Sequence, residues 1–365
     1  MPIPARLQTL IEYATSREAS DLHLNVDVFP VVRNGGKLFY LEEMGITTDA
    51  DVEQVLSSVL TSAQMENYKK LNELDFSLSY QSHGGKNFRF RGNAHVALGK
   101  TSIALRLTPP VVRSIDDLNL PPVLKEISKS RRGLFLVTGP TGHGKSTTLA
   151  AIINELNNTR EDHIITIEDP VEFIHRSNKC LISQRELGSD TRSFSESLRS
   201  ALRHDPNVIL IGELRDLDTI RTAITAAETG HFVLSTLHTH DAAQSINRLI
   251  DVFPNEQQTQ IRTQLATVLV GFCAQQLIPL SDDAGGKRLC ATELLIANPG
   301  IRNCIREGKT SQIRSLMQTG VSAGMHTMEQ CLASFVKSNV LSTNAALTYA
   351  YDPSELRRLL TTHSF

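Results

Sequence analysis

A glycine-rich stretch at residues 139–146, GPTGHGKS, fits the pattern G-x-x-x-x-G-K-[ST] in full. We call it the phosphate loop, because its glycines let backbone N–H groups turn inward around phosphate groups. We expect the Lys145 ammonium to reach the terminal phosphates of ATP and the Ser146 hydroxyl to hold Mg²⁺. The residues expected to bind the nucleotide are Gly139, Pro140, Thr141, Gly142, His143, Gly144, Lys145, Ser146 and Thr147.

His143 occupies a position of this loop that the pattern leaves free. An imidazole titrates near neutral pH and could act in catalysis. We favour the simpler interpretation, in which the side chain is exposed or supports its neighbours.

Three further polar residues, Glu168, Glu213 and His238, each follow a short apolar run. If the runs are parallel strands, these side chains lie at the carboxyl edge of the sheet, where ligands bind. Each alone could be a solvated loop group, but three in the same topological position predict a shared site. Glu213 is the preferred general base, since it could orient and deprotonate the water that attacks the γ-phosphate.

Three arginines, Arg89, Arg91 and Arg106, lie on predicted strands of the first third of the chain. They could form a solvated strand face. They could instead supply the positive charge that phosphoryl transfer needs beyond the γ-phosphate, across a subunit interface. The second interpretation requires a ring of subunits.

The elements that must position these residues fall into two parts. Up to about residue 108, alternating strand patterns (residues 21–26, 88–91 and 103–107) mix with helical spacing at residues 7–14 and 51–60. We therefore predict a small α+β domain at residues 1–110 and a second domain at residues 111–365.

The second part contains four short apolar runs separated by helical stretches, at residues 134–137, 163–167, 208–211 and 232–236. This alternation predicts an α/β domain with a mostly parallel sheet. From about Asn255 onward we predict a helical C-terminal region. Its apolar stripe is Ile261, Leu265, Val268, Leu269 and Phe272.

The composition narrows the class of protein. The 365 residues carry a formal net charge of −2, which argues against a broad nucleic-acid-binding surface. No apolar run approaches the roughly 18 residues that cross a bilayer, and the N-terminal stretch lacks the apolar core of a signal peptide. The five cysteines form no C-x-x-C pair, so we expect neither a zinc site nor disulfides. We expect a cytoplasmic protein.

The motifs together resemble the type II/IV secretion ATPase superfamily, and most closely the type IV pilus retraction ATPases. The similar stretches are ASDLHL (19–24), FRFRGN (88–93), the phosphate loop as the Walker A motif, ITIEDPVEF (165–173), the Walker B-like residues 200–216 and the histidine-bearing residues 225–239. PGIRNCIRE (299–307) is similar to the C-terminal AIRNLIRE motif of the retraction branch. It lies far in sequence from the nucleotide motifs, so we interpret it as a coupling element.

The resemblance implies a PAS-like domain followed by a RecA-like P-loop ATPase domain, assembled as a homohexamer that uses ATP and Mg²⁺. It implies a motor for pilus retraction and twitching motility, held at the inner face of the cytoplasmic membrane. The implied partners are an inner-membrane pilus platform protein and a paralogous retraction ATPase, with no nucleic acid.

Three alternatives remain open at the sequence level. The same architecture serves secretion and conjugation ATPases. A RecA-type nucleic-acid translocase fits less well, because the chain lacks a basic segment interleaved with aromatic residues. A catalytically dead scaffold is disfavoured by the presence of Lys145, Glu168, Glu213 and His238 together.

Overall fold

The computed structural model describes residues 3–17, 19–82, 85, 87–108, 111–280 and 288–361. The chain divides into two compact units. Unit 1 comprises Met1–Val111 with Pro170–Ile174, and unit 2 comprises Val112–Asp169 with His175–Phe365. Among the helices of the described ranges, none is both long and apolar enough to cross a membrane.

The described residues of unit 1 form a six-stranded antiparallel sheet in the order β3-β2-β1-β6-β5-β4, together with three α-helices and a short 3-10 helix at Glu42–Met44. Its elements are α1 (Ala5–Ser16), β1 (Asp21–Asn25), β2 (Val31–Asn34), β3 (Lys37–Tyr40), α2 (Asp49–Val59), α3 (Ser62–Leu71), β4 (Glu73–Gln81), β5 (Asn87–Ala97) and β6 (Lys100–Thr108). The predicted helices at residues 7–14 and 51–60 are confirmed as α1 and α2, and the three predicted strands as parts of β1, β5 and β6.

Local sequence explains why these elements form where they do. Helix α2 is preceded by its N-cap residue Thr48, and the side chains of Thr48 and Asp51 each accept a hydrogen bond from the other residue's backbone N–H. In β5, Phe90 and Ala94 are buried in the core of the unit. Because side chains alternate along a strand, Arg89 and Arg91 lie on the opposite face of the sheet from Phe90.

Unit 2 is built on a seven-stranded sheet in the order β13-β12-β7-β11-β10-β8-β9, parallel except for the pair β12–β13. Its first elements are α4 (Val123–Ser128), β7 (Gly133–Thr138), α5 (Lys145–Thr159), β8 (His163–Glu168), β9 (Leu181–Glu186), α6 (Phe194–Ala201), β10 (Val208–Ile211), α7 (Leu217–Glu228) and β11 (Phe232–Leu237). The later ones are α8 (Ala242–Asp251), α9 (Asn255–Val268), β12 (Leu269–Pro279), β13 (Arg288–Ile296), α10 (Pro299–Arg306), α11 (Ile313–Thr319), α12 (Met328–Lys337), α13 (Thr343–Tyr349) and α14 (Pro353–Thr361).

The central strands of unit 2 are buried on both faces. In β7, Leu134 and Leu136 join one hydrophobic cluster, whereas Phe135 and Val137 join another. A strand covered on both faces needs no polar alternation, which is why these strands appear in the sequence as continuous apolar runs. The four predicted strands and the mostly parallel sheet are confirmed.

The prediction that the chain is helical from Asn255 onward is wrong over Leu269–Pro279 and Arg288–Ile296. Helix α9 ends at Val268, and Leu269 and Phe272, assigned to its apolar stripe, belong to strand β12. A buried apolar run has no period that separates helix from strand. The outcome is decided by tertiary pairing, since β12 fills the place beside β7 in the sheet. The chain is helical again from α10.

Candidate nucleotide-binding site

The phosphate loop joins the carboxyl end of β7 to the N-terminus of the 15-residue helix α5. Gly139 has φ +139°, and a Cβ there would lie 2.4 Å from the backbone carbonyl oxygen of Gln275 in β12. Only glycine allows this close approach. Ser146 and Thr147 lie in the first turn of α5 and are half-buried. The loop therefore has the form of a phosphate cradle at the positive end of a helix, which suits a nucleotide phosphate and places a hydroxyl suited to Mg²⁺ beside it.

Lys145 is the charged centre of this loop. Its side chain is 8% exposed, and its Nζ donates to the carbonyl oxygens of Gly139 (2.8 Å) and Pro140 (2.9 Å). The same Nζ lies 3.5 Å from Nδ1 of His238. The loop is thus folded around its own ammonium group, and that group reaches the edge of β11.

Glu213 and His238 lie together at the neighbouring strand ends. Glu213 follows β10 and His238 follows β11, and His238 Nε2 lies 3.2 Å from Glu213 Oε2. The other carboxylate oxygen, Oε1, lies 2.5 Å from Arg215 Nη2. Since the Glu213 side chain is only 12% exposed, its carboxylate faces few water molecules and a fixed set of partners. Polar contacts therefore link Lys145 to His238 and His238 to Glu213.

Glu168 is the last residue of β8, one strand beyond β10. The backbone N–H of Gly212 donates to the carbonyl of Ile167 (2.7 Å), which fixes the two strand ends side by side. The Glu168 carboxylate accepts from Thr166 Oγ1 at 2.7 Å and from Gln184 Nε2 at 3.4 Å. The three polar residues predicted from the sequence thus share one edge of the sheet with the phosphate loop.

Comparison with known proteins shows which family this chain belongs to. Residues 1–330 match the family described as "Type II/IV secretion system protein". The chain belongs to that family. It is 43% identical over 344 residues to the type IV pilus retraction ATPase PilT of Pseudomonas aeruginosa, covering 94% of this chain and 98% of that protein. It is 46% identical over 296 residues to a twitching motility protein of Neisseria gonorrhoeae, covering 81% and 78%.

A solved structure, that of the pilus retraction motor PilT with bound ADP, superposes with a TM-score of 0.89 at 41% identity, covering 97% of this chain and 100% of that one. Like its relatives, this chain is an ATPase, and it binds nucleotide.

His143, in the phosphate loop, is half-buried and contacts the neighbouring strand β12. Its Nδ1 accepts a hydrogen bond from the backbone N–H of Leu277 in β12, at 3.1 Å. Burial lowers the pKa of His143, and the nearby charges of Lys145 and Arg288 lower it further. Because its Nδ1 accepts from the main chain, His143 anchors the loop, which is consistent with the supporting role predicted from the sequence.

The three arginines considered from the sequence, Arg89, Arg91 and Arg106, lie in unit 1, on one face of its sheet, where Arg91 pairs across the strands with Arg106. Arg89 donates to the carbonyl of Val171 (2.7 Å) and to the hydroxyls of Ser77 (2.9 Å) and Ser79 (3.2 Å). The other two each have an acidic neighbour: Arg91 Nη2 lies 4.0 Å from an Asp75 carboxylate oxygen, and Arg106 Nε lies 2.9 Å from Asp21 Oδ1.

The residues of the motif at 299–307 divide into a part that stabilises the fold and a part that is exposed. The Arg302 guanidinium donates to the carbonyls of Ala266 (2.5 Å), Thr267 (2.7 Å) and Leu269 (2.7 Å), so it caps the C-terminus of α9 where β12 begins. Asn303 and Glu307 are exposed instead, with Asn303 Nδ2 3.1 Å from Glu307 Oε1. The hypothesis that the motif acts in coupling therefore narrows to its exposed residues.

Two residues near the site were missed in the sequence analysis. Arg215 contacts Glu213, and Gln275 contacts the phosphate loop. Gln275 did carry a signal, because two adjacent glutamines interrupt an otherwise apolar buried strand, and a buried polar side chain needs partners.

Proposed function

We propose that this ATPase is a hexameric motor that powers the retraction of type IV pili and so drives twitching motility. The observation that carries the proposal is the similarity to PilT over nearly the whole length of both chains. In the same chain, the phosphate loop, Glu213 and His238 form a site that is fit to hydrolyse ATP.

The proposed domains are a PAS-like domain at residues 1–110 and a RecA-like P-loop ATPase domain at residues 111–365. The antiparallel sheet of unit 1 supports the first assignment. The mostly parallel sheet of unit 2, with the phosphate loop between β7 and α5, supports the second.

In the proposed reaction Lys145 and the loop N–H groups bind the phosphates of ATP, and the Ser146 hydroxyl holds Mg²⁺. Mg²⁺, when bound, neutralises charge on the β- and γ-phosphates. Glu213 takes a proton from the attacking water while the oxygen of that water bonds to the γ-phosphorus. The bond between the γ-phosphorus and the bridging oxygen breaks, and ADP leaves. Glu168 positions the water or the ion, and His238 links the base to the loop.

A ring of subunits follows from the need for positive charge at the γ-phosphate, and the similarity to the retraction ATPases implies that this ring is a hexamer. Arg91 and Arg106 have side chains that are 46% and 73% exposed, which suits groups offered to a neighbouring subunit better than Arg89 with its three acceptors. We expect light scattering of the nucleotide-bound protein to give about six times the chain mass of 40.3 kDa. Fully active monomers would rule out arginines supplied by a neighbour.

The proposed setting is the inner face of the cytoplasmic membrane, where the ring contacts the platform protein of the pilus machinery, with a paralogous retraction ATPase as a further partner. The exposed part of residues 299–307 is the proposed coupling surface. Its position outside the nucleotide site supports a role in transmission and not in chemistry.

The coupling role predicts that hydrolysis and motility separate. Combining Asn303→Ala with Glu307→Gln should leave ATPase activity within about twofold, because exposed substitutions rarely disturb a fold, and should abolish twitching in a complemented strain. The matched control removes another surface amide–carboxylate pair, with Gln264→Ala and Glu228→Gln, and should twitch normally. Arg302→Ala is a poor probe, since it uncaps α9. Normal twitching of the test variant would contradict the coupling role, and lost hydrolysis would place these residues in the motor core.

A further inference from the structure

Strand β12 extends beyond the strand it pairs with. Its parallel pairing with β7 ends at Ala274 and Thr138, where the phosphate loop begins. Residues 275–279 continue alongside the loop, supported on their other edge by β13. A rigid strand thus lies against a loop that must hold a defined shape.

Gln275 makes the contact between them. It is 1% exposed, and its side chain uses both ends of the amide. Nε2 donates to the carbonyl oxygen of His143 at 2.5 Å, and Oε1 accepts from Thr148 Oγ1 in α5 at 2.8 Å. The donor end of this buried amide faces the loop, so it holds the loop at a fixed position relative to β12.

The bond to the His143 carbonyl sets the direction of the next N–H group. In a trans peptide the C=O and the N–H point in opposite directions across the same plane. Because Gln275 holds the His143 carbonyl toward β12, the N–H of Gly144 points away from β12. The neighbouring hydrogen bond from Leu277 N–H to His143 Nδ1 holds the same residue from a second point.

We propose that Gln275 is a positioning residue for nucleotide binding, which holds the His143–Gly144 peptide so that the Gly144 N–H faces the phosphates. This inference rests on the proposed binding of ATP phosphates by the loop. Gln275 itself touches no phosphate, and it acts by fixing a donor before the nucleotide arrives. Such preorganisation removes an ordering cost from binding.

The test uses the full chain with Gln275→Met, which keeps the volume and removes both hydrogen bonds. Affinities for ADP and adenosine are measured by calorimetric titration and competition. The ADP dissociation constant should rise about 10- to 100-fold, the effect of losing one hydrogen bond to a charged group. Adenosine affinity should change less than threefold. With ATP, KM should rise while kcat stays within about threefold, because the lost contact serves ground state and transition state alike.

Thr148→Val is the matched control, since it removes the bond to Gln275 Oε1 and leaves the bond to the His143 carbonyl. Its ADP affinity should stay within about threefold of the wild type. If Gln275→Met does not fold, Gln275→Leu replaces it, because leucine is also uncharged and makes neither of the two hydrogen bonds. It should show the same ADP-selective loss.

A folded Gln275 variant with unchanged ADP affinity would overturn the inference, as would an equal loss for ADP and adenosine or an equal loss in Thr148→Val. Lys145→Ala separates this failure from failure of the proposed function. If Lys145→Ala binds ADP as tightly as the wild type, the loop is not the phosphate site. If Lys145→Ala loses ADP and Gln275→Met does not, only the positioning role is wrong.

Discussion

Glu213→Gln is expected to bind ATP with nearly wild-type affinity and to hydrolyse it roughly 10²–10⁴-fold more slowly, an increase in barrier of about 3–5 kcal/mol. Glutamine has almost the same shape and still holds a water molecule, but it cannot take the proton of that water. The contacts from His238 and Arg215 keep the side chain in place, so the loss should be one of chemistry and not of position.

Single-turnover hydrolysis, with ATP binding measured separately, checks this expectation. Glu196→Gln is the matched control. It makes the same carboxylate-to-amide change at an exposed position in the first turn of α6, outside the nucleotide motifs. An exposed substitution rarely disturbs a fold, so the control should hydrolyse within about threefold of the wild type.

Glu168→Gln provides the internal contrast. Its carboxylate accepts from Thr166 and Gln184, and these neighbours can partly replace it in positioning water or Mg²⁺. A smaller loss than in Glu213→Gln is therefore expected. If Glu168→Gln abolished hydrolysis while Glu213→Gln retained it, Glu168 would be the base.

Lys145→Ala should weaken ATP and ADP binding by about 10²–10³-fold, which corresponds to the roughly 2–5 kcal/mol lost when one partner of a buried charge pair is removed. The ammonium is buried within the loop and faces the loop carbonyls, so we expect it to reach a bound phosphate without a large rearrangement. Its removal also leaves the carbonyls of Gly139 and Pro140 without that donor.

Titration with a fluorescent ADP analogue measures this loss. Lys125→Ala is the control, because Lys125 is a lysine of the same unit that pairs with Asp116 at the surface. It should bind as the wild type does. Wild-type affinity in Lys145→Ala would overturn the assignment of the phosphate loop.

The sequence predicts the parts of this site at which few residue types could meet the physical requirement. The glycines and lysine of the phosphate loop are such residues, since few side chains tolerate the backbone geometry or carry the charge. The strands before Glu168, Glu213 and His238 were predictable because a doubly buried strand is continuously apolar. Their shared edge follows from parallel topology alone.

The parts that escaped prediction depend on contacts distant in sequence. Strand β12 forms because β7 offers it an edge, and no local pattern separates its apolar residues from those of α9. Gln275 meets His143 across 132 positions of the chain. Arg302 lies in a motif that suggests one shared role, yet its guanidinium is used to cap α9, which only the folded chain reveals.

The claim that this chain turns ATP hydrolysis into pilus retraction is tested most directly by imaging labelled pili on living cells. The native copy of the gene is replaced by the Glu213→Gln version, with Glu196→Gln as the control strain. The account predicts that pili still extend in both strains, that they retract in the control, and that retraction stops in the Glu213→Gln strain. Normal retraction in the Glu213→Gln strain, with hydrolysis abolished in the purified variant, would contradict it.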